Sequence, residues 1–218
     1  TAQRTGLGIL PVFDSKIRFC FLMKRLFDIV CSFFGLVILS PLFIFLSLWV
    51  GLSSRGGVFY KQQRVGLNGR DFTLYKFRSM ATGSDKKGLL TVGGKDSRIT
   101  KAGYFIRKYK LDELPQLFNV LKGDMSFVGP RPEVRKYVNM YSEEQRRVLS
   151  VRPGITDIAS MKYRNENDLL AKAENPEQYY IDVIMPDKLA LNLNYIDTRN
   201  FFRDIKLIFR TIAGKNNE

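Results

Sequence analysis

The sequence predicts a mixed α/β chain, mostly helical with one small β-hairpin, attached to a membrane by an apolar element near its N-terminus. Three observations predict this. From Ile29 to Ser54 no residue is charged, and about 20 such residues are enough for a helix to cross a bilayer. The β-prone runs Val58–Val65 and Asp71–Phe77 flank Asn68-Gly69, a dipeptide favoured in tight hairpins. Beyond residue 100, helix start and stop signals recur.

The apolar run is interrupted at Ser40-Pro41, and an interior proline removes a helix hydrogen bond and bends the axis. Lys24 and Arg25 precede the run; Arg55, Lys61 and Arg64 follow it. Positive charge prefers the cytoplasmic side, so two basic flanks suit a re-entrant helix that enters and leaves by one face. A Pro-kinked transmembrane helix satisfies the same residues, and both readings stand. The run is too long for a signal-peptide core and lacks a small-x-small cleavage site. Near the other end, Phe201, Phe202, Ile205, Ile208, Phe209 and Ile212 recur at helical spacing, with Arg203, Lys206 and Arg210 towards another face. Such a helix either lies in a bilayer interface or packs on the protein's own core. The chain divides into an unassigned extension (1–23), a membrane helix (24–54) and a body with no second domain (55–218).

Lys and Arg number 35 against 21 Asp and Glu, a net charge of +14. A charge of that sign calls for an anionic partner: nucleic acid, an anionic membrane face or a phosphorylated substrate. With 45% hydrophobic residues the chain is globular rather than disordered. Two cysteines, Cys20 and Cys31, build neither a disulfide framework nor a metal cluster. There is no histidine, so the commonest general base is missing and carboxylates and cations must carry any chemistry.

Those groups gather between Arg107 and Pro132. A helix over 101–110 is followed by Asp112-Glu113-Leu114-Pro115, which opens a second helix ending at Gly123. A helix start favours ionised acids. An acid pair in a basic field suits phosphate chemistry, where a carboxylate attacks or holds a metal while cations neutralise phosphate oxygens. Taken alone, each piece has a plainer reading. Acids decorate many helix starts, Arg131 between two prolines makes a rigid turn, and Asp96 with Arg98 makes a structural ion pair. The 80–95 stretch, with Lys86 and Lys87, is a polar surface loop. Farther on, Ser142–Gln145 matches a capping box starting a helix to Ser150. Arg152-Pro153-Gly154 forces a loop, and 167–173 and 186–195 are helical. A basic, membrane-anchored binding or scaffolding module also fits the charge. No nucleic-acid motif appears, however, and an acid pair would repel phosphates in such a groove.

In combination the motifs are more specific. Lys24–Asp28, Ser40-Pro41, Tyr75–Met80 (Y-K-F-R-S-M), Asp96–Thr100 (D-S-R-I-T), Leu111–Gln116, Gly123–Ser126 (G-D-M-S), Gly129–Pro132 (G-P-R-P) and Arg152–Thr156 (R-P-G-I-T) follow one another in order. This set resembles the bacterial sugar transferase family, the monotopic polyprenyl-phosphate phosphoglycosyl transferases in their small-domain form. The likeness runs from about Met23 to Ile212. After Thr156 it departs: many members continue with a Gly-Trp-Ala-Gln type of sequence, whereas Asp157–Tyr163 here reads D-I-A-S-M-K-Y.

The resemblance implies a re-entrant helix broken at Ser40-Pro41, with interfacial helices and both termini on the cytoplasmic face of the bacterial inner membrane. It implies a Mg²⁺-dependent transfer of sugar-1-phosphate from a UDP-sugar to undecaprenyl phosphate, through a covalent aspartyl intermediate. Asp112 would be the nucleophile and Glu113 would place the metal, with both acids as its ligands. Lys76, Arg78, Arg98, Arg107 and Arg131 would contact phosphate or hold the acids. Nucleic acid is not an expected partner, and a homo-oligomer is compatible with these expectations.

Overall fold

The computed structural model describes residues 15–53, 56–84, 88, 90–93 and 96–213. Most of the extension, Arg55, and the loop lysines Lys86 and Lys87 lie outside the described residues. The architecture is mixed α/β, mostly helical, with two separate two-stranded sheets.

The chain enters through α1 (Ser15–Ile38) and α2 (Ser40–Ser53). The helix therefore starts inside the stretch assigned to the extension. The axis turns by 63° between the two halves. Pro41 has no N–H to offer the carbonyl four residues back, that of Val37. The Ser40 hydroxyl donates to that same oxygen at 2.8 Å, so the break leaves no orphan acceptor. Along both helices the large apolar residues Phe33, Phe34, Val37, Ile38, Phe45, Leu48 and Leu52 face outward, Leu52 being 89% exposed. No single helix among the described residues is long and apolar enough to cross a membrane; the bent pair passes that test together.

The pair is nonetheless fastened to the body. The Arg25 guanidinium donates to the Val120 and Leu121 carbonyls at 2.7 and 2.9 Å, capping the C-terminus of α4 (Gln116–Lys122). Lys24 donates to the Val128 carbonyl at 2.8 Å and pairs with Asp204. Asp28 accepts from the Phe127 N–H at 3.1 Å. On α2, Leu46 and Val50 are fully buried and cluster with Phe77 and Ile106. Each such side chain stabilises the docking by roughly 1.5–3 kcal/mol.

The predicted hairpin is present as β1 (Phe59–Val65) and β2 (Asp71–Phe77), paired antiparallel with Val65 opposite Asp71. Asn68 takes the left-handed conformation at its turn, φ 54°. α3 (Lys101–Lys108) starts at Thr100, whose hydroxyl accepts from the Gly103 N–H at 2.9 Å. Gly103 is required there, since a Cβ would lie 1.9 Å from the Ser79 carbonyl oxygen. A short 3₁₀ turn, Leu111–Glu113, carries the acid pair, and α4 follows it.

The second sheet was not expected. β3 (Ser126–Val128) and β4 (Gly154–Thr156) run parallel, with Ser126 opposite Gly154 and Val128 opposite Thr156. The R-P-G-I-T segment is therefore a strand beyond its proline, not only a loop. Glycines permit the pairing: a Cβ on Gly154 would lie 2.2 Å from the Gly129 nitrogen. Between these strands lies α5 (Arg135–Val138). Ser142 and Gln145 exchange both capping-box bonds, at 2.8 and 3.3 Å, but the helix they start, Gln145–Ser150, is 3₁₀ rather than α. The rest is helical: α6 (Ile158–Lys162), α7 (Glu166–Lys172), α8 (Pro176–Tyr179), a π turn (Tyr180–Ile184), α9 (Met185–Thr198) and α10 (Phe201–Ile212). Tyr137, Val138, Leu170, Tyr180, Ile184 and Leu189 form the largest core cluster.

Pro41→Ala restores an N–H opposite the Val37 carbonyl and is expected to straighten the pair. Spin labels on the exposed positions Val30 and Leu48 would then move farther apart in bilayer discs. An unchanged distance would show that packing rather than the proline sets the bend.

Candidate active site

The elements just described converge on Asp112 and Glu113. Lys76 comes from the end of β2, Arg107 from the last turn of α3, and Arg131 from the segment after β3. Lys110, immediately before the acids, adopts a left-handed backbone at φ 57°. That conformation costs a non-glycine residue about 1–2 kcal/mol and reverses the chain between α3 and the acid turn.

The two acids occupy different environments. Glu113 is held on both oxygens: Arg131 donates to Oε2 at 3.2 Å and more closely to Oε1, and Lys76 Nζ donates to Oε1 at 3.2 Å. Burial alone would raise its pKa, yet Arg131 and Lys76 hold the carboxyl well below the usual carboxylate range. Reciprocally, Glu113 raises the pKa of Arg131. Burial depresses that of Lys76, with Glu113 opposing the shift. Asp112 is 8% exposed, and its Oδ1 is shut off from solvent with no hydrogen-bond partner among the described residues. Burial pushes its pKa up, aided by Glu113 and opposed by Lys76 and Arg107. The expectation that a helix start favours ionisation of both acids fails for Asp112, and for Glu113 it is Arg131 and Lys76, not the helix end, that favour the ionised form. The turn that carries them is only three residues long and buries Asp112, so desolvation outweighs the helix end there.

Around the acids opens a cleft of about 1350 Å³. Among the described residues, twelve Lys or Arg and five Asp or Glu line it, which favours an anionic occupant. One wall is apolar and belongs to the bent helix, through Cys31, Gly35 and Leu39.

Lys76, Arg107 and Arg131 are thus brought to the acid pair. Arg107 also donates to the Thr91 hydroxyl at 3.2 Å. Two other expected phosphate ligands line the cleft with prior engagements. Arg78 donates to Thr82 Oγ1 and the Phe59 carbonyl at 3.2 and 3.3 Å. Arg98 uses its Nε and both Nη nitrogens on Asp96 and on the carbonyls of Ser84, Gly88 and Leu90. It ties down the loop, as the ion-pair reading of Asp96 and Arg98 has it. Sequence reasoning missed two supports. Arg64, read only as a basic flank, donates to the Pro132 carbonyl and Glu133 at 3.0 and 3.1 Å. Tyr180 donates to Glu133 at 2.5 Å. Together they brace the turn that presents Arg131, and no local signal marks partners so distant in the chain. Asp157, in the stretch that departs from the family pattern, is buried and caps α6 through Ser160. Its charge acts on Arg131.

A sequence model described as "Bacterial sugar transferase" matches residues 19–216. The chain belongs to the bacterial sugar transferase family. It is 41% identical over 191 residues to an uncharacterised sugar transferase of Bacillus subtilis, EpsL, covering 88% of this chain and 86% of that one. It is 36% identical to a UDP-glucose:undecaprenyl-phosphate glucose-1-phosphate transferase of Klebsiella pneumoniae, covering 97% of this chain and 44% of that one. An undecaprenyl-phosphate galactose phosphotransferase of Salmonella typhimurium is 39% identical over 205 residues, 87% of this chain and 39% of its own length. The chain spans less than half of the latter two.

The family's expected Mg²⁺ has a partial donor set here. Among the described residues no cluster of three or more Asp, Glu or Cys side chains converges. Mg²⁺ commonly takes only one or two carboxylates and fills its octahedron with substrate phosphates and water. The unpartnered carboxylate of Asp112 and the less occupied Oε2 of Glu113 fit that pattern.

A carboxyl whose pKa rises on folding is worse off ionised in the folded state than in the unfolded one. Asp112→Asn is therefore expected to raise the melting temperature at neutral pH. The advantage should fade as pH falls through the folded pKa of Asp112 towards the ordinary aspartate value. Glu113→Gln should act oppositely, leaving Arg131 and Lys76 without their anion at a cost of about 1–3 kcal/mol. Calorimetry of both variants checks the pair of signs.

Proposed function

We propose that this chain transfers a sugar-1-phosphate from a UDP-sugar to undecaprenyl phosphate, releasing UMP, at the cytoplasmic face of the bacterial inner membrane. In this reading it starts the assembly of a glycan such as an exopolysaccharide, O-antigen, capsule or glycoprotein chain. The observation that carries the reading is the unequal treatment of the two acids. A nucleophile must keep a free lone pair and little solvation, and Asp112 meets both conditions. Glu113, paired with two cations chiefly through Oε1, fixes the positions of Lys76 and Arg131 beside it.

The steps follow from these residues. Arg131, Arg107, Lys76 and Lys110 reduce the repulsion between an anionic diphosphate and an anionic attacking group. An oxygen of Asp112 forms a bond to the β-phosphorus, the bond to the bridging oxygen breaks, and UMP leaves with that electron pair. An oxygen of the lipid phosphate then attacks the same phosphorus, and the Asp112–phosphorus bond breaks to return the carboxylate. Neither step moves a proton, which suits a chain without histidine. Mg²⁺ held by Asp112, Glu113 Oε2 and the diphosphate would draw charge from the phosphate oxygens and make phosphorus more electrophilic.

The acceptor's head group lies at a membrane surface, and three features support a site at that depth. The bent helix exposes bulky apolar residues while walling the cleft. Phe105 of α3 is exposed beside Trp49, and exposed Tyr109, just past the helix, packs on Phe105. Phe202 and Phe209 of α10 are also exposed. We read the pair as re-entrant, with both termini cytoplasmic.

Incubating the membrane-reconstituted chain with UDP-sugars, undecaprenyl phosphate and Mg²⁺ is expected to release UMP. Without the lipid, one equivalent should be released and a phosphosugar should be found on the Asp112 peptide by mass spectrometry. Asp112→Asn should lower turnover by about a thousandfold or more. Turnover by that variant at the parent rate would refute the covalent route. Tags found on opposite faces of native membranes would refute the re-entrant topology.

A further inference from the structure

α10 has three faces rather than two. Asp204 and Leu207 are buried, Leu207 against Val128, Met161 and Tyr195. Phe202 and Phe209 are 84% and 68% exposed. A third face carries Arg203, Lys206 and Arg210. Of these three cations only Arg210 lines the catalytic cleft, together with Ile208 and Thr211. Arg203 donates to the Thr198 carbonyl at 3.3 Å. Arg210 makes no hydrogen bond or ion pair among the described residues.

Position and chemistry then bear on one another. Phe209, exposed, and Arg210, half-buried, are consecutive, so the boundary between apolar surface and charged cleft passes between them. The same cleft has its apolar wall on α1 and α2, at Cys31, Gly35 and Leu39. The cations already placed beside Asp112 serve the donor diphosphate. The second substrate is also a phosphate, tethered to a hydrocarbon chain, and it must approach a phosphorus surrounded by negative oxygens. A cation at the apolar rim is what that approach lacks.

We infer that Arg210 receives the phosphate of the polyprenyl acceptor where the exposed apolar edge of α10 at Phe209 borders the charged cleft. The inference rests on the reaction proposed above and adds the acceptor's position to it. A guanidinium binds a phosphate through two parallel N–H donors. It thereby lowers the charge on the attacking group without consuming the oxygen that forms the new bond to phosphorus. That oxygen attacks as the Asp112–phosphorus bond breaks.

The test separates the two half-reactions of the reconstituted chain. Arg210→Ala is expected to raise KM for undecaprenyl phosphate about ten- to a hundredfold. KM for the UDP-sugar and the lipid-free rate of forming the Asp112 adduct should stay at parent values. Arg210→Lys, keeping a point charge, should fall between. Lys206→Ala removes a charge from the same helix outside the cleft and should shift the acceptor KM by no more than about twofold. An unchanged acceptor KM in Arg210→Ala would overturn the inference. So would slower adduct formation, an equal effect from Lys206→Ala, or a loss confined to binding vesicles of anionic phospholipid. If the parent chain forms no adduct at all, it is the underlying reaction that fails; adduct formation with an unmoved acceptor KM fails this inference alone.

Discussion

Two carboxylates on consecutive residues repel one another, and burying both costs several kcal/mol unless something compensates. Arg131 and Lys76 remove that cost for Glu113 and leave Asp112 to bear it. Much of the architecture serves this division. β2 delivers Lys76, and the parallel β3–β4 pair delivers Arg131 from the other side. Arg64, Glu133 and Tyr180 stiffen the turn on which Arg131 sits. If Arg131 slipped away, Glu113 would lose its strongest partner and the two acids would become alike.

The bent helix acts on the same arrangement from below. Leu46 and Val50 pack against Phe77 and Ile106, the neighbours in sequence of Lys76 and Arg107. Lys24 and Asp28 bond to the backbone of Val128 and Phe127, just before the segment that carries Arg131. The element with the most exposed apolar surface thus also sets the height of three site cations. Its proline break is satisfied by a single hydroxyl, so the turn is part of the folded structure and not a defect in it.

Where the sequence carried a local signal, it could be read. Asn68-Gly69 announced the hairpin, the helix expected over 101–110 is present as α3, and Ser142 and Gln145 form a cap whose two bonds are present. Ser40-Pro41 announced the bend. What stayed hidden depends on partners far apart in the chain. Three-residue strands have too little periodicity to show, and β3 meets β4 only because glycines at 129 and 154 let two backbones touch. The acid pair and its cations were visible as residue types. Their inequality was not, because the two cations that decide it stand 37 and 18 residues from Glu113. Likewise Arg98 looked like a phosphate ligand until three loop carbonyls were seen to share it. α10 was read as either interfacial or core-packed, and with a buried, an apolar and a cationic face it has the features of both.

The double duty of α2 has an evolutionary consequence. Here Leu46 and Val50 belong to a helix whose other side is exposed and apolar, and they are also part of the core. A lineage could not trade this helix for an unrelated one without leaving Phe77 and Ile106 bare. Helix and body must therefore change together.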